Sequence, residues 1–284
     1  MLVSDKAAKR ESLYFCILLK HDKMERREFL KKSAMAVAAI AATGLLATPV
    51  ISVLDKQIDK ENDNESKKEM KKIVIINGSP RKHMNTAALT EAFAQGVASA
   101  NKEIDVKEYW LYDYQYSGCK ECYACKLKNS KFTDVCAVSD EILPVLREAA
   151  YADGLVLASP MFFGNVTAMT QAFFERLAFP WSSYDNKPYS APVKPRPTAT
   201  IYTMNSTSDN VFSSIQTLEW LLSVFTEEKP QRVVACNTLP QKDYGPYALA
   251  GLPENEKRRW HDQHWEQDLR NAFNAGKSMA EKLA

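Results

Sequence analysis

The fold is decided by residues 73–86, which read IVIINGSPRKHMNT. The first four are Ile and Val in a continuous run, which indicates a strand buried on both faces of a sheet. Gly78 and Pro80 break that strand, and the residues from Thr86 to Ser99 have the composition of a helix. A buried strand, a loop and a helix in this order predict the first unit of a parallel α/β sheet.

The rest of the chain continues this alternation. Further strands are predicted at residues 105–111, 154–158, 198–203 and 233–236, and further helices at residues 140–150, 168–178, 211–225 and 266–282. Strands that alternate with helices imply a doubly wound, five-stranded parallel sheet with helices on both faces. Such sheets bind ligands at the carboxyl ends of their strands, beside the point where the strand order reverses. We therefore expect a site in the loops that follow the first, third and fourth strands.

The first loop has the features of a phosphate site. It lacks the Gly-x-Gly-x-x-Gly of a dinucleotide fold and the Gly-Lys-Ser/Thr of a nucleoside-triphosphate loop. Gly78 permits a tight turn, and Ser79, Asn85 and Thr86 surround a helix N-terminus whose free N–H groups attract an anion. Arg81 adds a fixed positive charge. The alternative is that these polar residues only cap the helix. Capping does not explain a loop of this length with an arginine in it.

Two loop motifs resemble one family. The pattern strand-Gly-Ser-Pro-Arg-x-x-x-Asn-Thr is similar to that of the NADPH-dependent FMN reductase branch of the flavodoxin-like superfamily. Residues 159–165, SPMFFGN, follow the third strand and resemble the family segment that wraps the flavin ring. The phosphate of FMN is then expected to contact four residues: Ser79, Arg81, Asn85 and Thr86. The flavin ring is expected to contact six: Pro160, Met161, Phe162, Phe163, Gly164 and Asn165. Since the flavin carries out the chemistry, no catalytic side chain is predicted.

A cysteine cluster lies between the second strand and the second helix. Cys119, Cys122 and Cys125 are each separated by two residues, and Cys136 follows after a gap of ten. Sulfurs at this spacing surround one point, and a fourth ligand closes a tetrahedral or cubane site. The cluster resembles the compact motif of iron–sulfur flavoproteins, which implies a [4Fe–4S] cluster that passes electrons to FMN, although the last gap is about twice that of the family. Zinc, free thiols and a disulfide are the alternatives.

The N-terminal part resembles a targeting signal rather than a folded domain. Residues 25–32 read ERREFLKK and precede an uncharged run from Ser33 to Val53. Adjacent arginines before a moderately apolar segment resemble a twin-arginine (Tat) export signal. The alternative is a transmembrane helix with a positive flank. The abundance of Ala and Thr, with Gly44 and Pro49 in the run, favours the export signal.

The predicted organisation follows from this. Residues 1–23 are an over-extended translation start, 24–54 a Tat signal or uncleaved anchor, 55–70 a disordered linker of polar and charged residues, and 71–284 the flavodoxin-like FMN-binding domain. The protein is expected to be periplasmic or anchored on the outer side of the cytoplasmic membrane. Contact with the membrane is expected only through the N-terminal segment, if that segment is not cleaved.

The predicted function is that of an exported FMN-dependent oxidoreductase that passes electrons from a reduced donor to a small acceptor. The resemblance implies NAD(P)H as donor, but an exported protein meets little NAD(P)H, so the donor stays open. One rival is a non-enzymatic flavin and iron–sulfur electron carrier that serves a redox protein; another is a flavin-free binding domain with structural zinc. The net charge of +2 and the lack of a basic patch interleaved with aromatic residues argue against nucleic acid. The family is commonly oligomeric, which leaves a homo-oligomer open.

Overall fold

A computed structural model describes residues 70–184, 195–208 and 213–284 of the chain. The predicted translation start, the Tat signal or anchor and all of the predicted linker except Met70 lie outside these residues. None of the helices in the described part of the chain is long and apolar enough to cross a bilayer.

The described residues form six strands and five α-helices. The strands are β1 (Lys72–Asn77), β2 (Asp105–Trp110), β3 (Gly154–Phe162), β4 (Asn165–Val166), β5 (Thr198–Thr203) and β6 (Gln231–Ala235). The helices are α1 (Asn85–Ala100), α2 (Leu143–Tyr151), α3 (Ala168–Trp181), α4 (Ser213–Thr226) and α5 (Glu254–Leu283). Two short 3₁₀ turns, Leu111–Asp113 and Ala124–Lys126, lie between β2 and α2.

Five strands form a parallel sheet in the order β2-β1-β3-β5-β6. This order reverses between β1 and β3, which is the switch point of a flavodoxin-like sheet. Alternate residues of β1 enter two separate cores: Val74 and Ile76 pack on the side of α2, α3 and α4, whereas Ile73 and Ile75 pack on the side of α1 and α5. The predicted fold class is therefore confirmed.

Helices α1 and α5 pack together through glycine. A Cβ atom built on Gly276 would lie 1.9 Å from the carbonyl oxygen of Phe93, and one built on Gly96 would lie 1.9 Å from that of Phe273. Each glycine therefore allows the backbone of the other helix to approach more closely than any side chain would permit. This contact fixes α1, whose first turn is the predicted phosphate site, against the longest helix of the domain.

Two predicted boundaries are wrong by four residues or more. The third strand ends at Phe162, not at residue 158, because the segment predicted to be a loop pairs with β4. Helix α5 begins at Glu254, twelve residues before the predicted start. Its first turns are strongly charged and show no apolar periodicity, so the usual helical signal is missing there.

Candidate functional site

The phosphate loop, residues 78–86, connects β1 to α1 at the carboxyl edge of the sheet, beside the switch point. The amide oxygen of Asn77 accepts a hydrogen bond from the N–H of Ser79 at 2.9 Å, and the hydroxyl of Ser79 accepts one from the N–H of Arg81 at 3.2 Å. These two bonds bend the chain sharply after the strand and hold the loop at the start of the helix.

Helix α1 begins without a side-chain cap. Its N-cap residue is Met84, no side chain bonds to the first free N–H groups, and no acidic residue lies in the first turn. The capping alternative for Ser79, Asn85 and Thr86 is therefore wrong. An uncapped helix start leaves backbone donors and the positive end of the helix dipole available to an anion such as a phosphate.

The polar side chains of the loop contact other parts of the protein. The guanidinium of Arg81 donates to the carbonyl of Pro240 at 2.5 Å, and the amide of Asn85 donates to that of Leu239 at 2.8 Å. The hydroxyl of Thr86 lies 2.8 Å from that of Thr203, at the end of β5. The four predicted phosphate residues thus lie together: Arg81, Asn85 and Thr86 hold the loop to its surroundings, and Ser79 bonds within it.

The segment after β6 was missed by the sequence analysis, although it completes this edge. The carbonyls of Leu239 and Pro240 in this segment accept the hydrogen bonds from the phosphate loop. The carbonyl of Thr238 accepts one from the ammonium of Lys257 at 3.3 Å. The same ammonium contacts the side-chain oxygen of Asn205 at 3.1 Å, and burial lowers its pKa. A buried lysine on α5 therefore ties together the loops that follow β5 and β6.

The predicted ring-binding segment is a β-hairpin. Met161 pairs with Val166 and Phe162 with Asn165, while Phe163 and Gly164 form the two-residue tip with φ values of 52° and 78°. Two positive φ values are those of a type I′ turn, which normally contains Asn-Gly. A phenylalanine at the first position is strained, because its Cβ crowds the backbone there.

The strained phenylalanine is fully exposed, and Phe162 beside it is exposed as well. Neither ring is buried, so packing within the fold does not explain why these two residues are aromatic. An aromatic residue in an unfavourable backbone conformation with its ring exposed is typical of a binding surface. Pro160 is buried within β3, whereas Asn165 is exposed and its side-chain oxygen accepts from the N–H of Val166 at 2.8 Å.

The hairpin and the phosphate loop are in direct contact. The hydroxyl of Thr167, which caps α3, donates to the carbonyl of Gly78 at 2.8 Å. A Cβ on Gly78 would lie 1.8 Å from the hydroxyl oxygen of Thr170, so only glycine fits at this position. This contact joins residues that are 89 apart in sequence and brings the two motifs to one edge of the sheet.

The four predicted metal ligands, Cys119, Cys122, Cys125 and Cys136, line one small cavity of about 20 Å³. Between the first three cysteines, Glu121 and Tyr123 have positive φ values of 50° and 54°, and these bends curl the loop around the cavity. The N–H of Glu121 contacts the sulfur of Cys119 at 3.4 Å. Across the described residues, no three His, Cys, Asp or Glu groups converge closely enough to hold a metal ion.

Two cations flank the cysteine cavity. Arg176 of α3 is 2% exposed and lines it. Burial lowers the pKa of its guanidinium, while the hydrogen bonds to the carboxylate of Asp140 raise it, and the net shift is upward. The ammonium of Lys126 donates to the carbonyls of Phe179, Pro180 and Ser182 at the end of α3. Burial lowers the pKa of Lys126, while it raises that of the Cys125 thiol. Neither cation was singled out by the sequence analysis.

The chain matches known proteins over most of the described domain. The family model described as NADPH-dependent FMN reductase matches residues 71–229. An iron-sulfur flavoprotein of Archaeoglobus fulgidus is 37% identical over 105 residues, which are 37% of this chain and 48% of that protein. An iron-sulfur flavoprotein of Methanosarcina thermophila is 30% identical over 105 residues, 37% of this chain and 51% of that protein. The chain thus spans about half the length of the curated relatives it matches.

Solved structures show the same fold. The NAD(P)H:quinone oxidoreductase from Methanothermobacter marburgensis has a TM-score of 0.50 and 15% identity, covering 72% of this chain and 94% of that one. An azoreductase from Bacillus anthracis has a TM-score of 0.50 and 14% identity, covering 75% of this chain and 100% of that one. Similarity at this identity shows the architecture alone.

The described residues fit FMN and an iron–sulfur cluster to different degrees. The uncapped start of α1 and the exposed aromatic hairpin fit the phosphate and the ring of FMN. The four thiols have the chemistry of a metal site, but the cavity of about 20 Å³ that they line is roughly the space of one water molecule or ion. A four-iron cluster therefore requires the cysteine loop to open.

Proposed function

This chain belongs to the NADPH-dependent FMN reductase family, and on that premise we propose that it is an FMN-dependent oxidoreductase that moves electrons from a reduced donor to a small acceptor. The observation that supports the proposal most strongly is the contact between the phosphate loop and the aromatic hairpin, joined by Thr167 and Gly78. An anion site beside an exposed aromatic surface matches a ligand that has a phosphate at one end and a flat ring at the other.

The protein's part in the reaction is binding and orientation. FMN, when bound, supplies the transfer of hydride or single electrons. The backbone N–H groups at the start of α1 would hold its phosphate, and the bonds from Arg81 and Asn85 to the segment after β6 keep those groups in place. Phe162 and Phe163 would line the ring and exclude water from one side of it.

We further propose that the cysteine loop holds a [4Fe–4S] cluster that exchanges electrons with the flavin. Its support is the set of four thiols around one cavity, with backbone N–H and guanidinium donors beside them. Hydrogen bonds to the sulfurs are a general means of setting cluster potential. Cys122 is exposed, which favours the rival function of an electron carrier, since a cluster at the surface suits contact with a redox protein.

The test uses the purified full chain, prepared with and without oxygen. We expect a flavin absorbance spectrum, iron and acid-labile sulfide, and oxidation of NADH or NADPH with a quinone or ferric acceptor. Protein that contains flavin and iron but turns over neither nucleotide, and is reduced only by a redox protein, would support the carrier instead. A colourless protein would contradict both redox functions and leave the zinc-binding domain.

Export is proposed separately, on the twin arginines alone. A variant with Arg26→Lys and Arg27→Lys keeps both charges and removes the motif. We expect the unchanged chain outside the cytoplasmic membrane and the twin-lysine variant inside, measured by cell fractionation. Equal distribution of the two would show that the arginines are not a Tat signal.

A further inference from the structure

Arg176 closes the cysteine loop at both ends. Its guanidinium forms two bonds to the carboxylate of Asp140, at 2.5 and 3.0 Å, and one to the carbonyl of Val138 at 3.1 Å, all beyond the last cysteine. A longer contact of 3.5 Å reaches the carbonyl of Ser117, before the first cysteine. One side chain on a rigid helix thus holds the two ends of a loop of about twenty residues against each other.

One donor of Arg176 is unused. Its Nε atom is buried and has no hydrogen-bond partner, although the side chain lines the cysteine cavity. A buried N–H without an acceptor is unfavourable, and a native protein normally gives such a group a partner. Sulfur bound to a metal is an anionic acceptor, and the thiols are the groups in this cavity that would become one.

We propose that Arg176 is a positioning residue of the cysteine site: it fixes the loop to α3 and donates its Nε–H to a metal-bound sulfur. The inference rests on the proposed metal-binding role of the cysteines and goes beyond it, because it assigns the residue that shapes the site and sets its charge. Asp140 pairs with Arg176 and carries the opposite charge, so removing each charge should affect the sulfurs with opposite sign.

The first experiment measures metal affinity in the full chain, without iron. Cobalt(II) bound by thiolates gives a charge-transfer absorbance that reports affinity directly. Because changes beside metal ligands typically cost 10–100-fold in affinity, Arg176→Met is expected to weaken cobalt binding at least tenfold. Arg176→Lys keeps the charge but has no Nε–H, so an intermediate loss is expected. Arg270→Met, which breaks an exposed ion pair with Glu266 on α5, is the matched control and should bind as the unchanged protein does.

The second experiment tests whether Arg176 acts on the metal site through its charge or only by holding the loop in place. In iron-loaded protein, Arg176→Met should lower the midpoint potential of the cluster and Asp140→Asn should raise it, since the first removes a positive and the second a negative charge. A tenfold change in the one-electron equilibrium corresponds to 59 mV. A loosened loop would instead reduce the iron content of both variants without moving the potential in opposite directions.

The outcomes are distinct. Weaker cobalt binding in Arg176→Met with opposite potential shifts supports the proposal, and thermal unfolding of each variant confirms that it is folded. Equal cobalt affinity in Arg176→Met and the unchanged protein, or shifts of the same sign, would overturn it. If the unchanged protein holds neither iron nor cobalt, the metal site itself fails, and the flavin spectrum of the same sample shows whether the FMN function stands.

Discussion

Replacing Phe163 separates the strain at the hairpin tip from the binding that we assign to its ring. The residue has a φ of 52° and is fully exposed, so its replacement removes no buried contact. A non-glycine residue in this conformation costs about 1–2 kcal/mol, and asparagine tolerates it far better. Phe163→Asn gives the Asn-Gly pair preferred in a type I′ turn. Phe163→Ala removes the ring but retains most of the strain.

The free energy of unfolding of the apoprotein should therefore rise by about 1 kcal/mol in Phe163→Asn and change by less than about 0.5 kcal/mol in Phe163→Ala. Flavin affinity should fall in both variants. An aromatic contact contributes about 0.5–1.5 kcal/mol beyond its buried area, so the dissociation constant should rise by up to about tenfold. Urea unfolding followed by circular dichroism gives the first quantity, and quenching of flavin fluorescence gives the second.

Two results would refute this reasoning. If Phe163→Ala binds FMN as tightly as the unchanged protein, the exposed ring does not contact the flavin. If Phe163→Asn is no more stable than Phe163→Ala, the hairpin stores no strain at this residue. Greater stability with weaker binding in Phe163→Asn is the combination expected when a strained residue is retained for its ligand.

Three further changes test other parts of the structure. Gly276→Ala should lower the free energy of unfolding by about 1–3 kcal/mol, because its Cβ would lie 1.9 Å from the backbone oxygen of Phe93, whereas Gly251→Ala, with nothing within 4 Å, should be nearly neutral in the same urea titration. Burial raises the pKa of Asp268 to about 6, so the folded chain holds this proton more tightly than the unfolded chain, and stability should fall as pH rises from about 4 to about 6. Asp268→Asn should remove that decline and be more stable at pH 7 by on the order of 1 kcal/mol; equal pH profiles would contradict this. Ala87→Glu places a carboxylate in the first turn of α1, which should stabilise the apoprotein by about 0.3–1 kcal/mol and weaken FMN binding, while riboflavin, which has no phosphate, should bind unchanged.

The sheet was predictable because its strands are encoded locally. Residues 73–76 and 154–158 are continuous apolar runs, which is the pattern of parallel strands covered on both faces. The strand at residues 198–203 was predicted at both ends, since a proline precedes it and a polar loop follows it. The order of the strands, β2-β1-β3-β5-β6, was not predicted from the sequence.

The hairpin was not predictable, because its signals point elsewhere. Pro160 has no N–H and normally ends a strand, yet here it lies within β3, aligned with Thr203 of β5. The tip carries Phe163 in place of the asparagine that would indicate a type I′ turn. In the proposed function Phe163 is retained for binding rather than for folding, and it conceals the turn that contains it.

The long-range contacts of the site were equally beyond local patterns. Arg81 bonds to Pro240, which is 159 residues away, and Arg176 bonds to Asp140, which is 36 residues away. The sequence shows that a loop contains an arginine, but it does not show which carbonyl or carboxylate accepts the hydrogen bonds of that arginine. The sequence therefore indicated the loops of the proposed site and left open which long-range hydrogen bonds hold them.

Helix α3 gives the two proposed sites a fixed separation. At its start, Thr167 contacts Gly78 of the phosphate loop, and nine residues later Arg176 holds the cysteine loop. At 1.5 Å per residue, these two contacts lie about 13 Å apart along the helix axis. Because each residue also turns the helix by about 100°, inserting or deleting one residue between them would rotate Arg176 away from the cysteines. Electron exchange between a flavin and a metal at these sites would depend on a distance set by one packed helix, so the length of α3 is itself part of the proposed redox function.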